Sequence, residues 1–296
     1  MGSIPSNQPN HDKLHTYSHS ESVANKGRAL TTTLSLLLQR LNLNRSTEVD
    51  IIPWSSPVLS FGDLSSARIA TLGLNPSNRE FVDTRGQELD GPARRFPTLK
   101  SLGLASWSDA SDHDTATIWQ ACCEYFHRNP YDGWFRQLDY LLGSTGTTYY
   151  SGGACHLDLI PYATSQKWTN LARAQRVLLL SIAGDTLGLL LRPSRIKILV
   201  LNGRSVVDAF EALSGSKLES QSMTAWKLNR GSGRSVHGLA FRGYIDSLAG
   251  IPFDRRLLVL GFNHNIQSSF GVTSQVRASI RAWIGQAAKE WSHESA

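Results

Sequence analysis

The chain is poor in sulfur, with three cysteines and two methionines in 296 residues. Cys122 and Cys123 are adjacent and cannot easily pair with each other, and Cys155 sits in an apolar run where a small core residue is expected. Three cysteines make no disulfide framework, which fits a reducing cytoplasm. Without C-x-x-C spacing they also argue against structural zinc or a four-cysteine iron–sulfur cluster. No apolar run reaches the length of about 18 residues that spans a membrane, and the polar N-terminus lacks a signal-peptide core. Also absent are G-x-x-x-x-G-K-[ST], a G-x-G-x-x-G after a strand, G-x-S-x-G and H-E-x-x-H. P-loop, dinucleotide-binding, nucleophile-elbow and zinc-protease chemistries are therefore not indicated. What remains is chemistry by Asn, Asp, His and water, with no metal and no cofactor expected.

The 41% hydrophobic and 18% charged content is ordinary for a globular protein, and the length suffices for one large core. The formal charge of +6 favours a polyanionic partner such as nucleic acid. Residues 1–27, rich in Ser, Asn, His and Lys, read as a disordered arm, and residues 28–296 as a single domain. His11, His15 and His19 share a helical spacing, but Pro5 and the surrounding polarity argue against a metal-binding helix. Met1-Gly2-Ser3-Ile4-Pro5-Ser6 loosely matches a myristoylation pattern, of a kind that arises readily by chance.

Leucines at helical spacing (Leu34, Leu37, Leu38, Leu41) predict an amphipathic helix over 30–43. Four apolar runs predict buried strands over 69–72, 154–160, 197–202 and 256–261. Helices are expected over 115–126, 135–142, 171–191, from Gly203 through Phe210, and from Thr273 or Ser274 to Trp291. A turn is expected at Asn129-Pro-Tyr-Asp-Gly133. The polar segment 78–114 reads as a long functional or mobile loop, and 214–250 as a hairpin excursion whose best strand is Leu239-Ala-Phe241. Strands alternating with helices predict an α/β three-layer sandwich around a mostly parallel four-stranded sheet.

The organising stretch is Arg68-Ile-Ala-Thr-Leu-Gly-Leu-Asn-Pro-Ser77. An apolar strand runs straight into a turn in which Gly73 permits close approach and Pro76 fixes the backbone beyond Asn75. Ligands of open α/β sheets bind at the carboxyl ends of strands. Asn75, Asp158 and His264 each follow or close such a strand, so the sequence converges polar groups on one sheet edge.

Gly73-Leu-Asn-Pro-Ser77 resembles the first motif of the uracil-DNA glycosylase superfamily. His156-Leu-Asp-Leu-Ile-Pro-Tyr162 resembles its base-reading strand, and Phe262-Asn-His-Asn-Ile-Gln-Ser-Ser269 occupies the place of its second motif, usually His-Pro-Ser-Pro. The likeness covers roughly residues 57–290, with the elements in the same order. It implies a monofunctional DNA glycosylase, a monomer whose partner is DNA, which flips a nucleotide and hydrolyses its N-glycosidic bond. Asn75 would position the attacking water, and His264 would donate to the departing base. Gly73 and Leu74 would line the base pocket, and Phe96, or else Phe81, would stack on the base. Ser77, Ser268, Ser269, Arg94 and Arg95 would hold phosphates, and Phe270 would fill the vacated stack.

Position 158 departs from the family, whose uracil-reading members carry Asn there. An ionised Asp only accepts hydrogen bonds and repels uracil O4, whereas a carboxyl group is the natural partner of the cytosine N4 amine. A protonated one could also donate to N3, and burial in a cleft favours that form. The expected target is thus a cytosine-like base carrying a modification. Some superfamily members remove bulky modified cytosines, including glucosylated hydroxymethylcytosine, from phage DNA in antiviral defence. Uracil or deaminated-base repair, a catalytically silent DNA-binding member, and a hydrolase of small nucleosides are the alternatives.

Overall fold

The computed structural model describes residues 12–43, 49–128, 132–229, 235–267 and 271–294. Helix α1 (Asp12–Leu43) buries Leu30, Leu34, Leu37, Leu38 and Leu41 on one stripe. It begins at Asp12, so most of the stretch read as a disordered arm has helical backbone; residues 1–11 lie outside the described residues. The remaining elements are β1 (Ile69–Gly73), α2 (Leu99–Leu102), α3 (Asp112–Cys123), α4 (Tyr125–Arg128), α5 (Asp132–Leu142), β2 (Ala154–Asp158), α6 (Arg173–Ala183) and α7 (Thr186–Leu191). They continue with β3 (Ile198–Asn202), α8 (Arg204–Ser214), β4 (Glu219–Asn229), β5 (Ser235–Leu248), β6 (Ile251–Phe262) and α9 (Ser274–Glu294).

All strands form one sheet in the order β2-β1-β3-β6-β5-β4. The first four are the expected strands, and they pair in parallel. The expectation of a four-stranded sheet is corrected to six, because the 214–250 excursion joins the sheet edge as the antiparallel strands β4 and β5. Every residue of β1, β2 and β3 is buried, which explains their uninterrupted apolar runs. β4 is mostly exposed, and its Glu219-Ser-Gln-Ser222 start carries no strand-like apolar pattern.

Alternation along β5 shows that helices cover both faces. Phe241 meets Arg204 of α8, while its neighbour Arg242 reaches Glu290 of α9. On the α9 face, α5 packs against α9. The segment Arg173–Leu191, apolar and long enough by composition to cross a membrane, forms two helices, α6 and α7, that bury Leu179, Ala183, Leu187, Leu190 and Leu191. At their junction Asp185 takes both nitrogens of Arg40 from α1, at 2.5 and 2.7 Å.

The free edge of β2 is covered. Phe61 exchanges two 2.9 Å backbone hydrogen bonds with His156, and further on Val58 bonds Pro161 and Ile52 bonds Ala163. The segment 78–114 is folded rather than loose. It contains short helical turns at Asn78–Glu80, Gly91–Ala93 and Trp107–Asp109 as well as α2, and it sends Phe81, Phe96 and Trp107 into the core. The turn expected at 129–133 lies partly outside the described residues.

Candidate active site

Register places the carboxyl ends of β1 and β2 side by side. Thr71 pairs with His156 and Gly73 with Asp158, so all four face the same side of the sheet. A Cβ on Gly73 would lie 2.3 Å from Asp158 Oδ1 and 2.9 Å from His156 Nε2. Gly73 is thus required for close approach, but the group that comes close is the protein's own carboxylate and imidazole, where a ligand was expected. Beyond the strands, Leu74 O accepts from Ile160 N at 3.0 Å, which holds the turn against the extension of β2.

Asn75 is half-buried, and its amide orientation is set. Nδ2 donates to Thr164 Oγ1 at 2.9 Å and to Pro76 O at 3.1 Å, with Tyr162 O at 3.4 Å. Tyr162 and Thr164 are themselves fixed: Tyr162 OH donates to Leu37 O of α1, and Thr164 Oγ1 donates to Gln166 O. With the nitrogen spent, the accepting edge Oδ1 is left unused among the described residues. An accepting oxygen held rigidly is what orienting a water molecule requires.

Asp158 is 7% exposed. Among the described residues no donor makes a well-formed hydrogen bond to its carboxylate; His156 Nε2 approaches Oδ1 at 3.5 Å. A nearly buried carboxyl group with only one loose donor contact keeps accepting capacity for a partner. Behind it runs a buried chain. Tyr149 OH is 2.5 Å from Thr71 Oγ1, and Thr71 Oγ1 is 2.7 Å from His156 Nδ1. Burial raises the Tyr149 pKa well above the usual phenol value, so the phenol keeps its proton. Tyr149 donating to Thr71 and Thr71 donating to Nδ1 leaves the imidazole proton on Nε2, the nitrogen facing Asp158.

A second buried acid, absent from the expected site, lies nearby. Glu80 is 3% exposed, accepts from Tyr125 OH at 2.8 Å and pairs with Arg95 at 3.3 Å. Burial raises its pKa, Arg95 and Tyr125 pull it back, and the charge of Asp158 adds to the rise. Arg95 is therefore bound to an interior acid, which corrects its expected role as a phosphate contact. Arg94 pairs with Asp90 near the surface, and Ser77 is exposed and caps the turn at Asn78–Glu80 through Arg79 N.

The aromatic expectations need correction too. Phe96 and Phe81 are each 1% exposed. Phe96 stacks on Tyr125 with centroids 5.3 Å apart, and Phe81 packs against Phe96 at 5.8 Å. Neither has an open ring face for a base. The partly buried Trp134 does border a cleft of about 540 Å³, together with Gln137, Ile266, Gln267 and Arg277. Its ring also stands edge-on to His156 at 5.2 Å, which links the cleft to the Asp158 side of the sheet.

His264 is 4% exposed, and its Nε2 donates to Trp226 O at 2.6 Å. Trp226 belongs to β4, at the opposite sheet edge from β2. The expected donation of that proton to a base is corrected: it caps a carbonyl of the bulged edge strand. Ser268, Ser269 and Phe270 lie outside the described residues.

The residues missed by sequence reasoning are Asn202, Trp134, Glu80, Thr71 and Tyr149. Asn202 closes the apolar β3 just as Asp158 closes β2, and that polar ending was a usable signal. The others carry no such mark, since their roles come from partners distant in sequence. No protein-family model matches the chain, and no curated protein matches it significantly in sequence.

Proposed function

We propose that the protein is a monofunctional DNA glycosylase of the uracil-DNA glycosylase type, acting on a modified cytosine such as glucosylated hydroxymethylcytosine. The observation that carries this reading is the nearly buried Asp158 carboxyl beside Gly73, two residues before the fixed amide of Asn75, and faced by His156 Nε2 only at a loose 3.5 Å among the described residues. A carboxyl acceptor suits the exocyclic amine of cytosine and repels the O4 of uracil. Asn75 Oδ1 accepts a hydrogen bond from the attacking water and aims the water oxygen at the sugar C1′. The N-glycosidic bond breaks, the pair of electrons leaves with the base, the surplus proton of the water passes to solvent, and a proton from solvent completes the free base. Trp134, in place of Phe96, supplies the ring on which the extruded base rests. The alternative for Asp158 is a structural group paired with His156; the length of that contact, 3.5 Å, leaves accepting capacity on the carboxylate and favours the ligand reading.

A second reading is a catalytically silent member that binds extruded bases. It is favoured by the commitment of His264 to Trp226, which removes an expected donor to the departing anion.

Asp158→Asn tests the assignment. It restores an amide with both donor and acceptor, and base release from uracil-containing DNA should appear while release from modified cytosine falls. A folded variant with unchanged base preference would remove Asp158 from the base-reading role.

A further inference from the structure

The third strand of the sheet carries an unsatisfied buried acceptor in register with Asp158. Leu72 pairs with both Leu157 and Leu201, and Gly73 pairs with Asp158, so the next residue of β3, Asn202, falls on the other side of Gly73. In-register neighbours in a parallel sheet share a face. Asp158 and Asn202 therefore flank Gly73 on one face, with Cα atoms about 10 Å apart across one intervening strand. The carboxylate leans over the glycine, as its 2.3 Å approach to the missing Cβ shows.

Asn202 is 9% exposed, and its Oδ1 is fully buried with no hydrogen-bond partner among the described residues. Its amide orientation is nonetheless determined. Nδ2 donates to Gln267 Oε1 at 2.8 Å, and Gln267 Nε2 reaches Trp134 O at 3.5 Å. Gln267 and Trp134 both border the cleft. The donor edge of Asn202 is thus tied to the loop after β6, which leaves an acceptor on the opposite edge of the amide. A buried carbonyl oxygen without a donor is as unfavourable as a lost hydrogen bond.

We infer that Asn202 is a second specificity-determining residue, and that Asp158 and Asn202 form an all-acceptor slot over Gly73 that takes an amino-bearing base. This inference rests on the glycosylase reading for its substrate, and it adds a reason for the preference that Asp158 alone does not supply. Two acceptors aimed at the base edge disfavour an oxo group there and accept the two hydrogens of an exocyclic amine. Gln267 is the positioning residue that prevents the Asn202 amide from flipping to offer a donor.

The test uses duplex DNA carrying 5-hydroxymethylcytosine or 5-hydroxymethyluracil, each with and without glucose on the hydroxymethyl group. Within each pair the bases differ in the amino or oxo group and the attendant ring proton. Base release is compared for the full-length wild type, Asn202→Ala and Gln267→Leu, with thermal melts to establish folding. The wild type should favour the amino base. Asn202→Ala should narrow the preference by about tenfold, the equivalent of one well-made hydrogen bond, through slower release of the amino base. Gln267→Leu should narrow it from the other side, because a freed Asn202 amide can flip and donate to the oxo base. Should Asn202→Ala not fold, Gln267→Leu carries the test alone. An unchanged preference in the folded variants overturns the role of Asn202 and leaves the glycosylase reading standing. If the wild type releases neither base, that parent reading fails. Binding of free cytosine against free uracil, followed by saturation-transfer NMR, then judges the slot by itself: an Asn202-dependent preference for cytosine supports it, and equal binding overturns it.

Discussion

Replacing Gly73 with alanine probes both the packing of the site and its chemistry. The new methyl group would stand 2.3 Å from Asp158 Oδ1, 2.9 Å from His156 Nε2 and 3.2 Å from His156 Cε1. To reach ordinary van der Waals contact the carboxylate must retreat by roughly 1 Å. His156 has little room to follow, since Phe61, Trp134 and Phe135 surround its ring and Thr71 holds Nδ1. Overpacking of this kind costs about 1–3 kcal/mol. For a chain of this size, that corresponds to a melting temperature lower by about 2–4 °C per kcal/mol. The functional loss should be larger, since a misplacement of about 1 Å in a reacting constellation can cost about a hundredfold in rate. Gly27→Ala on α1 is the control, because no heavy atom lies within 4 Å of its Cβ position and alanine favours a helix by about 0.5–1 kcal/mol. Differential scanning calorimetry and base-release kinetics on both variants decide the matter. A Gly73→Ala protein that melts with the wild type would refute the packing argument. One that is destabilised but releases base at the wild-type rate would refute the role given to the position of Asp158.

Other consequences follow from the same contacts. Glu80 has a raised pKa in the folded state, so between about pH 4.5 and that higher value the native protein holds a proton that the unfolded chain has lost, and stability falls as pH rises through this window. Glu80→Gln keeps an acceptor for Tyr125 and should flatten that slope in denaturation curves taken from pH 4 to 8; a slope equal to wild type would contradict the burial argument. Burial pushes the Cys122 thiol up to about 11 and raises Cys123 and Cys155 further, so a disulfide reagent at pH 8 should find no fast thiol in the native protein and three after denaturation. Thr164→Val removes the 2.9 Å bond that orients Asn75, and kcat for base release should fall about tenfold with little change in the KM for DNA. Equal loss in both constants would place Thr164 in DNA binding instead.

The parallel part of the fold was legible because strands buried on both faces leave nothing but apolar residues, as in Ile198-Leu-Val-Leu201. The hairpin was placed in the chain but not in the sheet, since β4 is an exposed edge strand whose polar start resembles a loop. The helical turns within 78–114 were hidden by their shortness, although Phe81, Phe96 and Trp107 mark where that segment enters the core. At the site, Asp158 stood out because a charged residue closing an apolar strand has few structural uses. His264 carried the same mark and misled, because its partner Trp226 lies 38 residues away on another strand. Glu80 and Arg95, 15 residues apart, meet only through the folding of the segment between them.

In the proposed function Asn75 and Asp158 serve hydrolysis of the N-glycosidic bond of a modified cytosine in DNA. Its most direct test is base release from otherwise identical duplexes carrying uracil, cytosine, 5-hydroxymethylcytosine or glucosylated 5-hydroxymethylcytosine, with Asn75→Ala as the control. The account predicts abasic sites in the modified-cytosine duplexes alone, and their loss in Asn75→Ala. Release from uracil DNA would contradict the reading of Asp158, and an intact wild-type protein that releases no base from any of the duplexes would contradict the glycosylase assignment itself.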